Sequence, residues 1–160
     1  MKKILILVVA MASTLVQTGF AQNDHNTHHQ APTVIASYYG LKDALVSGDA
    51  STASAKSAEL TKAIESSNSK TIGDKDKSDL LKHVAMISGD KDINSQRAHF
   101  APLSSSIITL AKSAKLSDAP IYVQYCPMKK SSWISSEKAI KNPYYGSSML
   151  TCGKVTETIN

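Results

Sequence analysis

The chain has 160 residues, 42% of them hydrophobic, and a formal charge of +5, which suits one ordinary core and is too short for several domains. Its 18 lysines and arginines are scattered rather than clustered, so the charge gives no footprint for nucleic acid. With no glycine-rich phosphate loop and no nucleophile motif, nothing supports an enzyme, and no catalytic residue is assigned.

Residues 1–21 read as a secretory signal peptide. Lys2 and Lys3 open it, Ile4 to Val9 begin an apolar stretch, and Gly19-Phe20-Ala21 offers small residues for cleavage near Ala21. That stretch is too interrupted for a membrane span of ~20 residues. No cysteine follows the cleavage region, so no membrane anchor is expected. The expectation is a periplasmic or secreted protein whose mature charge falls to +3 once Lys2 and Lys3 are removed. Residues 22–33 lack apolar periodicity and are expected to be a disordered tail carrying His25, His28 and His29. Neutral imidazoles at that density bind borderline ions such as Cu(II) weakly.

Residues 34–160 are expected to form a single domain. Val34, Tyr38, Leu41 and Leu45 repeat at spacings of four and three, one buried face of a first helix stopped by Gly48. A second, capped by Asp49, spans about Ala50 to Ser66 and turns Ala53, Leu60 and Ile64 inward. Asn68 to Asp76 reads as a loop. A third helix from about Lys77 to Ser88 buries Leu80, Leu81, Val84 and Ile87, and Gly89 ends it. Asp92 caps the fourth and longest, with Ile93, Gln96, Phe100, Leu103, Ile107, Leu110 and Ala114 on one face and Pro102 interrupting it. The fold class is mainly α: an antiparallel four-helix bundle. After Pro120, Ile121 to Cys126 and Val155 to Ile159 read as a small two-stranded β-ribbon joined by structured loops and leaning on the helices.

That ribbon carries both cysteines, each near a methionine: Cys126 with Met128, and Met149 with Cys152. Thiolate and thioether sulfurs are soft donors that select Cu(I). If Val123 and Val155 lie on paired strands, all four sulfurs meet at one end of the ribbon. The other reading is a Cys126–Cys152 disulfide, the default for an even pair in an oxidising compartment, with the methionines as gap-fillers. Such a bridge closes a 27-residue loop and contributes about 3–4 kcal/mol in the chain-entropy view. His83 and His99, on the third and fourth helices, are further ligand candidates. Arg97 is expected to tie its helix to loop carbonyls, and Trp133, Tyr144 and Tyr145 to anchor the loops.

Tyr125-Cys-Pro-Met128, Trp133-Ile-Ser135, Asn142-Pro-Tyr-Tyr-Gly146 and Met149-Leu-Thr-Cys-Gly153 together resemble the bacterial family called domain of unknown function 3347. Ala44-Leu45, Arg97, His99-Phe100 and Leu103-Ser104 extend the resemblance over Val34 to Ile159. That family occurs as exported proteins and as a module of periplasmic adaptor subunits of heavy-metal efflux pumps. The resemblance therefore implies copper as cargo, an efflux component as partner, and Cys126, Met128, Met149 and Cys152 as ligands. Cys126-Pro-Met128 is also similar to the start of a short heavy-metal-binding domain, although Lys129 stands where that domain carries histidine. Two expectations follow. One is an exported soft-metal protein that buffers Cu(I) or hands it on; the other is a non-catalytic interaction domain stapled by the disulfide.

Overall fold

The structure is a computed structural model that describes residues 33–160. The expected signal peptide and the histidines of the tail, His25, His28 and His29, lie outside the described residues.

Four helices come first: α1 (Val34–Ser47), α2 (Ala50–Ser66), α3 (Asp74–Gly89) and α4 (Ile93–Ser113). Three begin on side-chain caps. Thr33 accepts from the Ala36 N–H, Asp49 from that of Thr52 and Asp92 from that of Ser95, each satisfying an otherwise orphaned donor. α3 starts three residues before the sequence-based expectation. Gly73 gives no side-chain cap there, but Asp74 and Asp76 occupy the first turn and favour the positive end of the helix dipole. α1 ends at Gly48, whose φ of 79° is the left-handed geometry that a side chain resists.

Each helix packs chiefly on its neighbour in sequence, giving a helical bundle with narrower contact between α1 and α4. Tyr38, Leu41, Leu45, Leu60, Ile64, Leu80, Val84, Phe100, Leu103 and Ile107 form its core, the inward faces that the three-four spacing marks out. Leu81, expected inside, is only partly buried against that core. Buried Gln96 fastens three elements at once, donating to the carbonyls of Ala50, Ile87 and Asp90. Pro102 does not divide α4, because it sits on the exposed face and the helix runs through it.

The expected two-stranded ribbon is in fact a three-stranded antiparallel sheet: β1 (Ile121–Cys126), β2 (Ser131–Ser135) and β3 (Lys154–Ile159), in the order β2-β1-β3. β1 and β3 pair as expected. The added strand is Ser131-Ser-Trp-Ile-Ser135, folded back after a tight turn in which Lys130 takes φ 56°. It earns its place through packing, since Trp133 and Ile134 are fully buried and β2 lies against α4. The buried hydroxyls of Tyr38 and Ser104 bond at 2.6 Å, and Tyr38 also accepts from the Ile134 N–H at 3.4 Å, joining α1, α4 and β2. Rings continue the joint in the order Tyr38, Phe100, Tyr144, Trp133, with centroids 5.2, 5.9 and 5.8 Å apart. Helices and sheet thus share one core.

Candidate soft-ligand site

β1 ends on Cys126, and the chain turns at once through Pro127. The turn aims the Lys129 N–H back at the Cys126 sulfur, 3.4 Å away, and closes with the Lys130 N–H on the Cys126 carbonyl at 2.8 Å. Proline suits this turn because its φ is preset. From the other side, a short helical turn at Gly146–Met149 runs into Cys152 just before β3, and the Cys152 N–H donates to the Met149 carbonyl at 3.0 Å. Tyr125 lies opposite Lys154 in the ladder, so both cysteines reach the same end of the sheet. Their sulfurs stand 3.6 Å apart as free thiols.

Asn142 holds this arrangement. It is wholly buried and uses both ends of its main chain and both ends of its amide. The amide donates to the Cys152 carbonyl at 2.7 Å and accepts from the Tyr144 N–H at 2.8 Å. Its backbone N–H donates to Leu150 and its carbonyl accepts from Gly146. The loop bearing Cys152 is therefore cinched at its base. Two glycines permit the close packing. A Cβ at Gly153 would come within 2.9 Å of the Trp133 indole, and one at Gly146, where φ is 55°, would meet the Val46 carbonyl at 2.8 Å and collide with the Arg97 guanidinium.

The two thiols are not equivalent. Burial pushes the Cys126 thiol up, but the Lys129 N–H, the Asn142 amide and the Cys152 thiol outweigh it and bring it below its ordinary value. Cys152 is raised, first because it serves as hydrogen-bond donor to Cys126, then by burial and by the charge beside it. Of the two, Cys126 is the thiol that ionises more readily, with Cys152 donating to it. Exposure is graded the same way: Cys126 is 0% exposed, Cys152 partly exposed, Met149 40% and Met128 62%.

The remaining candidates lie elsewhere. His83 on α3 and His99 on α4 are partly buried, and neither joins the cysteines. Among the described residues no group of three or more His, Cys, Asp or Glu is placed to hold a metal. Arg97 donates to the Leu45 carbonyl at the end of α1 at 2.9 Å, rather than to a carbonyl of the C-terminal loops, while its guanidinium lies against Gly146. Tyr144 anchors its loop by donating to the Ser132 carbonyl at 2.6 Å. Sequence reading names Asn142 only within the Asn142-Pro-Tyr-Tyr-Gly146 motif and gives no role to it or to the N–H donors of the Cys126 turn. The Cys126-Pro127 pair is the signal the sequence offers for that turn.

Among known families, the one described as Protein of unknown function (DUF3347) matches residues 34–119. These are the four helices and most of the link to β1, so both cysteines lie beyond the matched residues. No curated protein and no solved structure matches the chain. Among the described residues no helix is long and apolar enough to cross a membrane.

Proposed function

The chain belongs to the DUF3347 family, whose description carries no activity, and from that premise we propose a function on the sulfur site itself: it binds one Cu(I) ion between Cys126 and Cys152 and releases it to another carrier. One observation supports this reading above others, the 3.6 Å between the two sulfurs. Two thiolates on one tetrahedral ion, each at about 2.3 Å, stand about 3.8 Å apart. The same spacing is also contact distance for two reduced thiols, which oxidation would draw together to about 2.05 Å. The ordered N–H donors around Cys126 supply a second argument, because they favour the thiolate that a soft ion requires.

Met128 and Met149 are the outer donors. Thioethers bind Cu(I) more loosely than thiolates, so an incoming ligand displaces them first, then Cys152, and Cys126 last. The protein performs no catalytic step in this reading; it exchanges ligands. The four helices act as an antiparallel scaffold that holds the sheet end rigid. Residues 1–21 direct the chain out of the cytoplasm to the periplasm or beyond, where the protein buffers copper for an efflux system. The tail histidines His25, His28 and His29 gather Cu(II) nearby.

The test is anaerobic titration of the reduced protein with Cu(I) against a competing chelator, read by intact mass and by affinity. One copper per chain is expected, lost in Cys126→Ser and in Cys152→Ser, and bound about tenfold more weakly when Met128 and Met149 are both replaced by leucine. A reduced protein with two free thiols that retains no copper overturns the reading. It leaves the alternative of a non-catalytic interaction domain, which the same sulfur pair staples once oxidised.

A further inference from the structure

Exposed large hydrophobic side chains are few in the described residues, and they are not spread evenly. Of the five, Met128, Met149, Leu150 and Val155 all lie on the segment that carries the two cysteines, and only Met86 lies elsewhere. Met128 follows Cys126 by two residues, and Met149 and Leu150 sit on the turn that ends at Cys152. Single exposed apolar residues are ordinary, whereas a concentration at one end of a sheet marks a contact surface.

The charges around that end have one sign. Lys129 and Lys130 flank Cys126 on the turn, and Lys154 opens β3 just after Cys152. None of the three takes part in an ion pair among the described residues. Between residues 126 and 156 the single acid is Glu137, and it is held by Lys141 at 2.9 Å. Lysines without an ion pair occur elsewhere too, Lys62 and Lys82 among them, but those stand on helices that carry acids, whereas Lys129, Lys130 and Lys154 stand where the sequence around both cysteines has none. The surface around the dithiol is thus an apolar centre inside an uncompensated basic rim. A second copy of the chain fits it poorly, because a two-fold contact would set lysine against lysine.

We propose that the sulfur end of the sheet is a docking surface for an acidic protein carrier, one that presents carboxylates around its own soft ligands and meets the Lys129, Lys130 and Lys154 rim while its ligands reach Cys152. This deepens the copper reading by naming the chemistry of the exchange partner. Opposite charges steer the encounter, and the apolar centre excludes water where the ligands change hands.

Two dicysteine peptides serve as probes, one flanked by glutamates and one by lysines. Loaded with Cu(I), the glutamate peptide is expected to transfer copper about tenfold faster than the lysine peptide at low ionic strength. The advantage should vanish in 0.5 M salt, on the order of the concentration at which screening becomes short-ranged, and in Lys129→Glu/Lys130→Glu/Lys154→Glu. A second arm needs no copper: each peptide, oxidised to its disulfide, exchanges with the reduced protein. Two electrons and two protons pass from Cys126 and Cys152 to the peptide, leaving a protein disulfide and a peptide dithiol. A glutamate preference in this arm supports the docking surface even if copper binding fails, which separates the two ideas. Equal rates for both peptides in both arms overturn the proposal. So does tight, salt-sensitive sedimentation of the protein with phosphatidylglycerol vesicles that Leu150→Ser abolishes, since the occupant is then a lipid surface.

Discussion

Asn142 shows how much one side chain can set. Its amide bridges the Cys152 carbonyl and the Tyr144 N–H, and it also lowers the Cys126 thiol toward ionisation. Asn142→Ala leaves both backbone groups without their partner and should cost about 2–3 kcal/mol in chemical unfolding. The pH dependence has a definite sign. Because the folded Cys126 value is depressed, its ionisation contributes stability that is lost as pH falls from 9.0 through the folded value, while the raised Cys152 value works against the fold as pH climbs past 9.0. In the variant that increment shrinks, and thiolate absorbance should show the first of the pair's two steps moving up toward 9.0. An unchanged first step would mean that the backbone donors alone hold the thiolate. None of this was readable in the sequence, where Asn142 is one polar residue in a turn-rich stretch. A side chain that satisfies distant backbone groups leaves no periodic trace. The cysteines and methionines were readable, because soft donors are rare and their clustering survives as spacing.

At the scale of elements, the helices were legible and one strand was not. Helical faces repeat along the chain, so Tyr38, Leu41 and Leu45, or Phe100, Leu103 and Ile107, declare themselves without tertiary information. β2 does not: Ser131-Ser-Trp-Ile-Ser135 has no alternation, and its strand character comes from pairing with β1 and from the Tyr38 hydroxyl bonding to its Ile134 N–H. Pro102 is the reverse case, a loud local signal that the fold absorbs. Its missing N–H frees the Ala98 carbonyl, and Ala98 is exposed, so that acceptor is open to solvent rather than stranded in the core. Pro102→Ala should restore the bond and stabilise the protein by about 1–2 kcal/mol, after allowing for the greater freedom of the unfolded chain. Thermal unfolding measures it; a lower melting temperature would show that the bundle uses the proline's geometry.

For the whole molecule, the boundary of the family match raises a question of autonomy. Residues 34–119 contain all four helices. Yet Ile121, Val123, Trp133, Ile134 and Tyr144 belong to the same core as Phe100 and Tyr38. A fragment ending at residue 119 should therefore keep helical content but lose its sharp calorimetric transition, whereas residues 33–160 unfold in one step. A cooperative fragment would show instead that the sheet is an appendage to a self-sufficient bundle. The chain contains one tryptophan, Trp133, and its fully buried indole packs beneath Gly153, next to Cys152, with Tyr144 at its edge. Whatever happens at the sulfur pair, be it ionisation, oxidation or the arrival of a heavy ion, happens beside the only indole in the molecule. Its fluorescence is thus a built-in gauge of that pair, and occupancy can be followed in the native, unlabelled protein.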